Sequence, residues 1–331
     1  MSPAADSPPS TPTAGLTPKQ VSAFWRDGFL IVPSYLSQQQ CSSVLAKTYD
    51  LLHNLDLTNH PMTKFVTGQD GDGTRQGEEH VGDDYFLGSG DQVRFFFEED
   101  AFNSTTGELC KPKEKAINKI GHNLHGLVSD FGQISHQGEL GRRNAAVARD
   151  LGFRDPRLLQ SMVICKQPEI GGAVPPHQDS TFLYTNRPSA VGFWIALEDA
   201  MVENGCLSFA PGSHRRAPIK HRFVRKRDGS GTEFEAITTA EQAWPRHFQH
   251  DNGDDGDDGQ TKEEYVLGEV KAGDLVLIHG NILHKSERNV SHKGRMIYTF
   301  HLIEGTEHYD ERNWLQVPGG PAAFTKLDGR A

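Results

Sequence analysis

From about residue 159 onward, the chain is a series of short segments that alternate apolar and polar side chains and are separated by Gly, Pro and Asn. The segments are 159–166, 191–197, 206–210, 274–278 and 295–303. A period of two residues is typical of half-buried β-strands. Many short strands with frequent turns favour a sandwich or barrel of antiparallel sheets over a parallel α/β fold.

Helical patterns precede this strand series. Thr17 followed by Pro18 is a favourable helix start, Gly28 is a stop signal, and residues 29–32 are predicted to form a strand. Ser37 is the predicted cap of a second helix whose apolar residues recur at helical spacing. The predicted helices span 18–27, 37–55, 115–128 and 138–151. The sequence therefore predicts a mainly β fold with flanking helices (α+β), in which the strands form a jelly roll.

A length of 331 residues allows one large domain or two ordinary ones. We predict a single domain over 17–315, preceded by a disordered tail at 1–16 and followed by a C-terminal tail at 316–331. Residues 223–262 interrupt the strand series and are interpreted as an insertion. They include a Gly/Asp run at 251–258 whose five acids account for half of the net charge of −10.

Composition and charge exclude several classes of protein. The chain contains no run of about 18 apolar residues, so we predict no membrane span. Residues 215–227 form a basic run, which is interpreted either as a solvated loop or as a site for an anionic substrate group. No aromatic stripe accompanies this basic run, so nucleic-acid binding is not predicted.

The expected location is cytoplasmic. Residues 1–15 lack the basic stretch and the apolar core of a secretory signal. The four cysteines include no C-x-x-C pair, and free thiols in a reducing compartment are the simplest interpretation.

Two segments match the His-x-acid pattern of a metal site: His177-Gln178-Asp179 and His308-Tyr309-Asp310. With 16 His and 44 acidic residues, about two such matches are expected by chance. A 2-His-1-carboxylate site for Fe(II) needs a third ligand from elsewhere in the chain. No histidine follows Asp310, so the first segment is the better candidate.

Both His279 and His284 are candidates for the third ligand. Arg295 follows His284 by eleven residues, and we expect it to reach back across two neighbouring strands. The planar guanidinium of arginine suits bidentate binding of a carboxylate. A facial triad together with such an arginine implies 2-oxoglutarate as co-substrate.

These segments resemble the phytanoyl-CoA dioxygenase family of Fe(II)/2-oxoglutarate oxygenases, and the resemblance extends from about residue 18 to Leu315. The matching motifs are His177-Gln178-Asp179, Glu203-Asn204-Gly205-Cys206-Leu207, Pro211-Gly212-Ser213-His214, and His284 with Arg295. The resemblance implies a double-stranded β-helix, the cupin-like jelly roll. By matched position it assigns the iron ligands to His177, Asp179 and His284, and contacts with 2-oxoglutarate to Lys119, Met162, Trp194, Ser286 and Arg295.

The expected function is an Fe(II)- and 2-oxoglutarate-dependent oxygenase. It would use O₂ to hydroxylate an aliphatic C–H of a small-molecule or acyl-CoA-like substrate and would release succinate and CO₂. The alternatives are a non-catalytic metal-binding jelly-roll protein and a metal-dependent hydrolase or isomerase. Arg295 and Ser286 favour the oxygenase, because neither alternative needs a carboxylate-binding arginine.

Some of these residues also have an ordinary structural interpretation. His122, His125 and His301 are predicted to be core histidines with satisfied hydrogen bonds. Lys119 is predicted to lie on a helix, where a lysine normally faces solvent. Trp194 is in an alternating strand, where an aromatic residue commonly belongs to the core.

Overall fold

The computed structural model describes residues 15–65, 83–237 and 263–328. The predicted tail at 1–16, apart from its last two residues, and the Gly/Asp run at 251–258 lie outside these described residues. The α-helices of the described part are α1 (Pro18–Asp27), α2 (Gln38–His53), α3 (Asp84–Leu87), α4 (Leu124–Leu127), α5 (Ser129–Ser135), α6 (Gly138–Asp150), α7 (Asp179–Phe182) and α8 (Ser213–Arg216).

The strands of the described part are numbered in chain order. They are β1 (Phe29–Val32), β2 (Val93–Phe97), β3 (Ile117–His122), β4 (Pro156–Lys166), β5 (Val174–His177), β6 (Val191–Ala196), β7 (Leu207–Phe209), β8 (His221–Arg225), β9 (Thr232–Ala236), β10 (Val266–Gly268), β11 (Leu275–His279), β12 (His284–Ser286), β13 (Arg295–Glu304) and β14 (Thr325–Lys326). All five strands predicted after residue 158 are present, with ends that differ from the prediction by at most three residues.

The strands form two antiparallel sheets and a separate hairpin. The large sheet has the order β1-β11-β6-β13-β4-β3-β2, with β14 added beside β4, and the small sheet has the order β10-β7-β12-β5. One apolar cluster contains residues of both sheets, so the sheets pack face to face. Two facing antiparallel sheets with flanking helices confirm the predicted mainly β jelly roll, the double-stranded β-helix.

Side chains of strand β13 point alternately to the two faces of the large sheet. Tyr298 and Phe300 belong to the core cluster that this sheet shares with the helices. Arg295, Thr299 and His301 lie on the other face and line a cavity between the two sheets. Because side chains alternate along a strand, a single strand supplies both the packing core and the polar residues of the cavity.

Local sequence signals explain the first two helices. Thr17 and Gln20 form a capping box at the start of α1, and Ser37 and Gln40 form the same motif at the start of α2. Gly28 ends α1 in the left-handed conformation, with a φ of 85°, and its N–H donates to Phe24 O at 2.7 Å.

The prediction of a helix at 115–128 is wrong. Residues Ile117–His122 form β3, and the α-helix α4 covers only Leu124–Leu127. Lys119 therefore lies on a strand, with Phe96 of β2 and Ile164 of β4 as its backbone partners. Pairing with strands distant in sequence overrides the local helical pattern, which is a common outcome for short segments.

The folded chain continues past the predicted boundary at residue 315. Strand β14 pairs with β4 at Leu158 and Arg157, a stretch of β4 that β3 does not reach. Phe324 and Leu327 are buried beside this pairing. Upstream, β8 and β9 form a hairpin at the start of the predicted insertion, and residues 238–262 lie outside the described part.

All four cysteines are unpaired, and Cys41, Cys165 and Cys206 are buried. Among the described residues, no helix has both the length and the apolar character needed to cross a membrane.

Candidate metal centre and co-substrate pocket

Two strands and a short helix bring His177, Asp179 and His284 together. His177 ends β5, and its backbone partner His284 begins β12. Asp179 Oδ1 lies 3.6 Å from His177 Nε2 and 3.7 Å from His284 Nε2. Residues two apart on a strand share one face, but His177 and Asp179 do not lie on the same strand. The chain instead turns at Gln178 from β5 into α7, which points the carboxylate back toward the histidines.

The backbone fixes the orientation of both imidazoles. His177 Nδ1 lies 2.9 Å from Pro175 O, and His284 Nδ1 lies 3.1 Å from Ile282 O. A neutral imidazole whose Nδ1–H donates to a carbonyl has its lone pair on Nε2. Both Nε2 lone pairs are therefore available on the side of Asp179, as in a metal site whose ligands are oriented by a second set of hydrogen bonds.

The three side chains fit a divalent metal ion. Their donor atoms all lie within 4.8 Å of one another, and no other such group of His, Cys, Asp and Glu is found in the described ranges. Burial lowers the pKa of His284 to about 4. Burial alone would raise the pKa of Asp179, but the surrounding histidines hold it well below its usual range. Deprotonated donors are those that a metal requires, and two imidazoles with one carboxylate are typical of non-heme Fe(II).

The structure does not bring the alternative residues to this site. Asp310 forms an ion pair with Arg222 at 3.0 Å. His279 is buried on β11, with its ring 5.5 Å from that of Trp25, and its Nδ1 accepts from the N–H of Asn281 at 3.0 Å. Of the two candidates for the third ligand, His284 is therefore the one that approaches Asp179.

A cavity of about 200 Å³ extends from the triad between the two sheets. It is lined by the three triad residues and by all five residues that the resemblance assigns to 2-oxoglutarate, Lys119, Met162, Trp194, Ser286 and Arg295. The five come from β3, β4, β6, β12 and β13, so the tertiary fold unites residues that are distributed from position 119 to position 295.

Arg295 is buried in this cavity and has no carboxylate partner among the described residues. Its Nη1 donates to Gly205 O at 2.6 Å, and its guanidinium carbon lies 5.4 Å from the centre of the Trp194 ring. Its Nε has no hydrogen-bond partner in the described part of the chain. Burial lowers the pKa of Arg295 to about 10, so the group is still charged at neutral pH.

The expected reach of Arg295 across neighbouring strands is wrong. His284 lies on β12 of the small sheet, whereas Arg295 lies on β13 of the large sheet. Both residues line the cavity because the two sheets face each other across it.

Lys166 is a cavity residue that the sequence reasoning missed. It is 3% exposed, and its Nζ donates to Ser286 Oγ at 2.7 Å and to Glu287 O at 2.6 Å. Burial, followed by the nearby Arg295 charge, lowers the pKa of Lys166 to about 7. One signal was available in the sequence, since Lys166 follows Met162 by four residues and so shares its strand face.

Lys119 and Glu98 contribute further charge. Lys119 Nζ lies 3.1 Å from the centre of the Phe65 ring, a cation–π contact. Burial lowers the pKa of Lys119 to about 7, an effect that Glu98 opposes. Burial also raises the pKa of Glu98. Lys119, Lys166 and Arg295 are here called the cationic wall; the charge of Glu98 acts on all three, and Glu287 also acts on Lys166.

Another part of the cavity lining is aromatic, and we call it the aromatic wall. It consists of Phe65, Phe86, Phe182, Phe223 and Trp314. Phe86 stacks on Trp314 with ring centres 4.3 Å apart, and Phe182 lies 6.2 Å from the ring of His177. An apolar surface therefore borders the metal ligands.

Two of the three predicted core histidines behave as expected. His122 Nδ1 lies 2.7 Å from Ser89 Oγ, and His125 Nδ1 lies 2.8 Å from Ser161 Oγ. His301 differs, because its Nε2 lies 3.4 Å from Asp179 Oδ2. The alternation along β13 puts His301 on the same face as Arg295, but its contact with Asp179 depends on the tertiary structure.

Several arginines of the basic run at 215–227 already have protein partners. Arg216 pairs with Glu263 at 2.5 Å, and Arg222 pairs with Asp310. Arg225 donates to the carbonyls of Trp314 and Leu87. These contacts stabilise the β8–β9 hairpin and its surroundings, and they leave these three arginines less available to an anionic substrate group.

Comparisons with known proteins agree with this geometry. The phytanoyl-CoA dioxygenase (PhyH) family matches residues 24–297. Phytanoyl-CoA dioxygenase domain-containing protein 1 of Bos taurus is 41% identical over 307 residues, covering 92% of this chain and 96% of the relative. The corresponding homolog of Caenorhabditis elegans is 38% identical over 296 residues, covering 88% of this chain and 93% of the relative.

A solved structure supports the fold. The epimerase SnoN in complex with Fe³⁺, alpha ketoglutarate and nogalamycin RO superposes with a TM-score of 0.55 at 18% identity, covering 91% of this chain and 90% of that chain. At this identity the likeness concerns the fold. The family match and the two relatives extend over most of the sequence, and the family match at 24–297 spans the positions of the triad. The chain therefore belongs to the phytanoyl-CoA dioxygenase family.

Proposed function

We propose that this protein is an Fe(II)- and 2-oxoglutarate-dependent oxygenase that hydroxylates an aliphatic C–H of a small-molecule or acyl-type substrate and releases succinate and CO₂. One observation carries the proposal: the His177, Asp179 and His284 donors share one cavity with the cationic wall. A metal site beside a buried arginine that has no carboxylate partner in the described part of the chain is suited to a co-substrate with a chelating group at one end and a carboxylate at the other.

His177, Asp179 and His284 would hold Fe(II) through two Nε2 atoms and Oδ1 of the carboxylate. When bound, the metal would supply the oxidation of substrate by O₂, coupled to the conversion of 2-oxoglutarate to succinate and CO₂. Three protein ligands on one side leave the other side open for small molecules.

The chain's own residues would bind and orient the co-substrate. The guanidinium of Arg295 would bind the distal carboxylate, with Lys166 and Ser286 beside it. Because Trp194 and Met162 are buried in the same lining, they would exclude water from this region and strengthen the charge pairing. Fixing both ends of 2-oxoglutarate would limit its orientations at the metal.

The aromatic wall supports the proposal that the substrate has an apolar group, because apolar surface near the triad would bind a hydrocarbon better than a charged group. Relatives named phytanoyl-CoA dioxygenase occur among the similar proteins, including one from Arabidopsis thaliana that is 35% identical. Their name supports an acyl-type substrate, and the cavity is equally compatible with a smaller apolar molecule.

The test is consumption of 2-oxoglutarate by the purified protein with Fe(II) and O₂, with succinate as the readout. A panel of acyl-CoA thioesters, free fatty acids and small apolar compounds would be added one at a time. Stimulated succinate formation together with a hydroxylated product supports the proposal. A metal-binding protein without turnover, or a hydrolase or isomerase on the same ligands, would leave 2-oxoglutarate unconsumed under every condition.

A further inference from the structure

The two oxygens of the Asp179 carboxylate have different surroundings. Oδ1 faces the Nε2 atoms of His177 and His284, at 3.6 and 3.7 Å. Oδ2 faces away from them, toward His301 Nε2 at 3.4 Å. The carboxylate therefore presents one oxygen to the metal ligands and the other to a histidine that belongs to neither β5 nor β12.

Gln160 defines the orientation of His301. The two residues are backbone partners on β4 and β13, and both are buried. Gln160 Nε2 lies 3.4 Å from His301 Nδ1. If the amide N–H donates to Nδ1, the proton of the neutral ring is on Nε2, where it points at Asp179. The tautomer with its proton on Nε2 therefore satisfies the contact with Gln160 and the contact with Asp179.

The glycine at position 192 leaves room for the His301 ring beside the large sheet. Gly192 of β6 is the backbone partner of His301, and a Cβ at position 192 would lie 3.3 Å from His301 Nε2. The imidazole of His301 therefore packs directly against the backbone of Gly192. With only 6% of His301 exposed, the ring has little room to turn away from the carboxylate.

We propose that His301 is a positioning residue that holds Asp179 Oδ2 by a hydrogen bond, so that Oδ1 alone binds the metal. This inference rests on the proposed metal site. It matters because a carboxylate that bound through both oxygens would occupy a position needed by the co-substrate or O₂. Gln160 acts one step further away, by fixing the tautomer and orientation of His301.

The test compares His301→Leu, which removes the donor, with His301→Gln, whose side-chain amide can replace it. Binding of Co(II) and Fe(II) to the metal-free protein is measured anaerobically, together with the charge-transfer absorption on adding 2-oxoglutarate. His301→Leu should weaken metal binding by about ten- to a hundredfold, as is usual for residues that orient a ligand. His301→Gln should recover most of the affinity and the absorption band.

His125→Leu is the matched control. His125 is also buried, but its partner is Ser161 and it does not line the cavity. This variant should bind metal within about twofold of the parent even if its melting temperature falls. If His301→Leu fails to fold, Gln160→Leu tests the same chain of contacts and should weaken metal binding by a smaller factor.

The inference is overturned if folded His301→Leu binds metal like the parent, or if His301→Gln is as impaired as His301→Leu. If Gln160→Leu binds metal like the parent, Gln160 does not fix the tautomer and orientation of His301. Failure of the proposed function is a separate result, because it would show as a parent protein that binds no metal or never consumes 2-oxoglutarate.

Discussion

Arg295 and Lys166 are backbone partners on the antiparallel strands β13 and β4, and both side chains are buried in the same cavity. Both side chains carry positive charge when protonated, so they repel each other. The Arg295 charge contributes to the lowered pKa of Lys166. Among the described residues neither side chain forms an ion pair with a carboxylate, and two neighbouring buried cations are unfavourable unless a ligand supplies negative charge. We therefore regard the pair as the strongest structural indication of an anionic co-substrate.

Arg295→Ala should raise the dissociation constant for 2-oxoglutarate by at least about thirtyfold, because losing one partner of a buried charge pair costs about 2–5 kcal/mol. Iron binding should survive, and Arg295→Lys should recover only part of the affinity. The measurement is anaerobic titration of the ferrous protein with 2-oxoglutarate. Parent-like titration of Arg295→Ala would place the carboxylate elsewhere in the cavity, with Lys119 the next candidate.

Binding of 2-oxoglutarate should be accompanied by uptake of a proton near pH 7–8. The pKa of Lys166 is about 7 without ligand, so above this pH the amine is mostly neutral and a bound dianion would favour its protonated form. Affinity should therefore fall as pH rises through 7.

Calorimetry in two buffers of different ionisation enthalpy measures this proton. The charged or ionisable groups that act on Lys166 are Arg295, Glu98, Glu287 and Cys206. Lys166→Met should weaken binding and reduce the proton uptake. Unchanged uptake in this variant would assign the proton to another group, such as Lys119.

Asp179→Ala should abolish high-affinity iron binding and turnover, because it removes the only anionic member of the triad. Asp310→Ala is the matched control from the second His-x-Asp segment, and it should bind iron like the parent. It is expected to lose some stability, since Asp310 pairs with Arg222. Metal titration and thermal unfolding separate the two effects, and equal loss of iron in both variants would contradict the assignment.

His284→Ala should likewise lose iron, whereas folded His279→Ala should keep it. The ring of His279 packs between those of Trp25 and His214, so its replacement should lower the melting temperature. An iron-replete His284→Ala protein would exclude His284 as a ligand.

Leu327→Ala should destabilise the protein by about 2–4 kcal/mol, because Leu327 is 1% exposed and belongs to the main core cluster. Lys326→Ala, the neighbouring control, removes only a half-exposed ion pair with Asp155 and should cost less than about 1 kcal/mol. Denaturant unfolding measures both values. Equal stabilities would show that the segment after residue 315 contributes little to the fold.

The strand and helix patterns of the sequence were sufficient for much of the fold. Alternation over 159–166 and 295–303, the capping residues Thr17 and Ser37, and the stop at Gly28 depend on neighbours a few residues away, so they can be recognised locally. The strand at Ile117–His122 was mistaken for a helix because its strand pairing comes from β2 and β4, which no local pattern reveals.

By itself the sequence determined most of the long elements, the family resemblance and the residue types available for a metal site and a carboxylate site. The tertiary structure decided which of them meet. It brought His284 rather than His279 to Asp179, placed Arg295 opposite His284 on the facing sheet, and added Lys166 and His301 to the cavity. The physical reason is that strand register and the packing of one sheet on the other fix distances between residues that are far apart in the chain, and a motif encodes only the spacing along it.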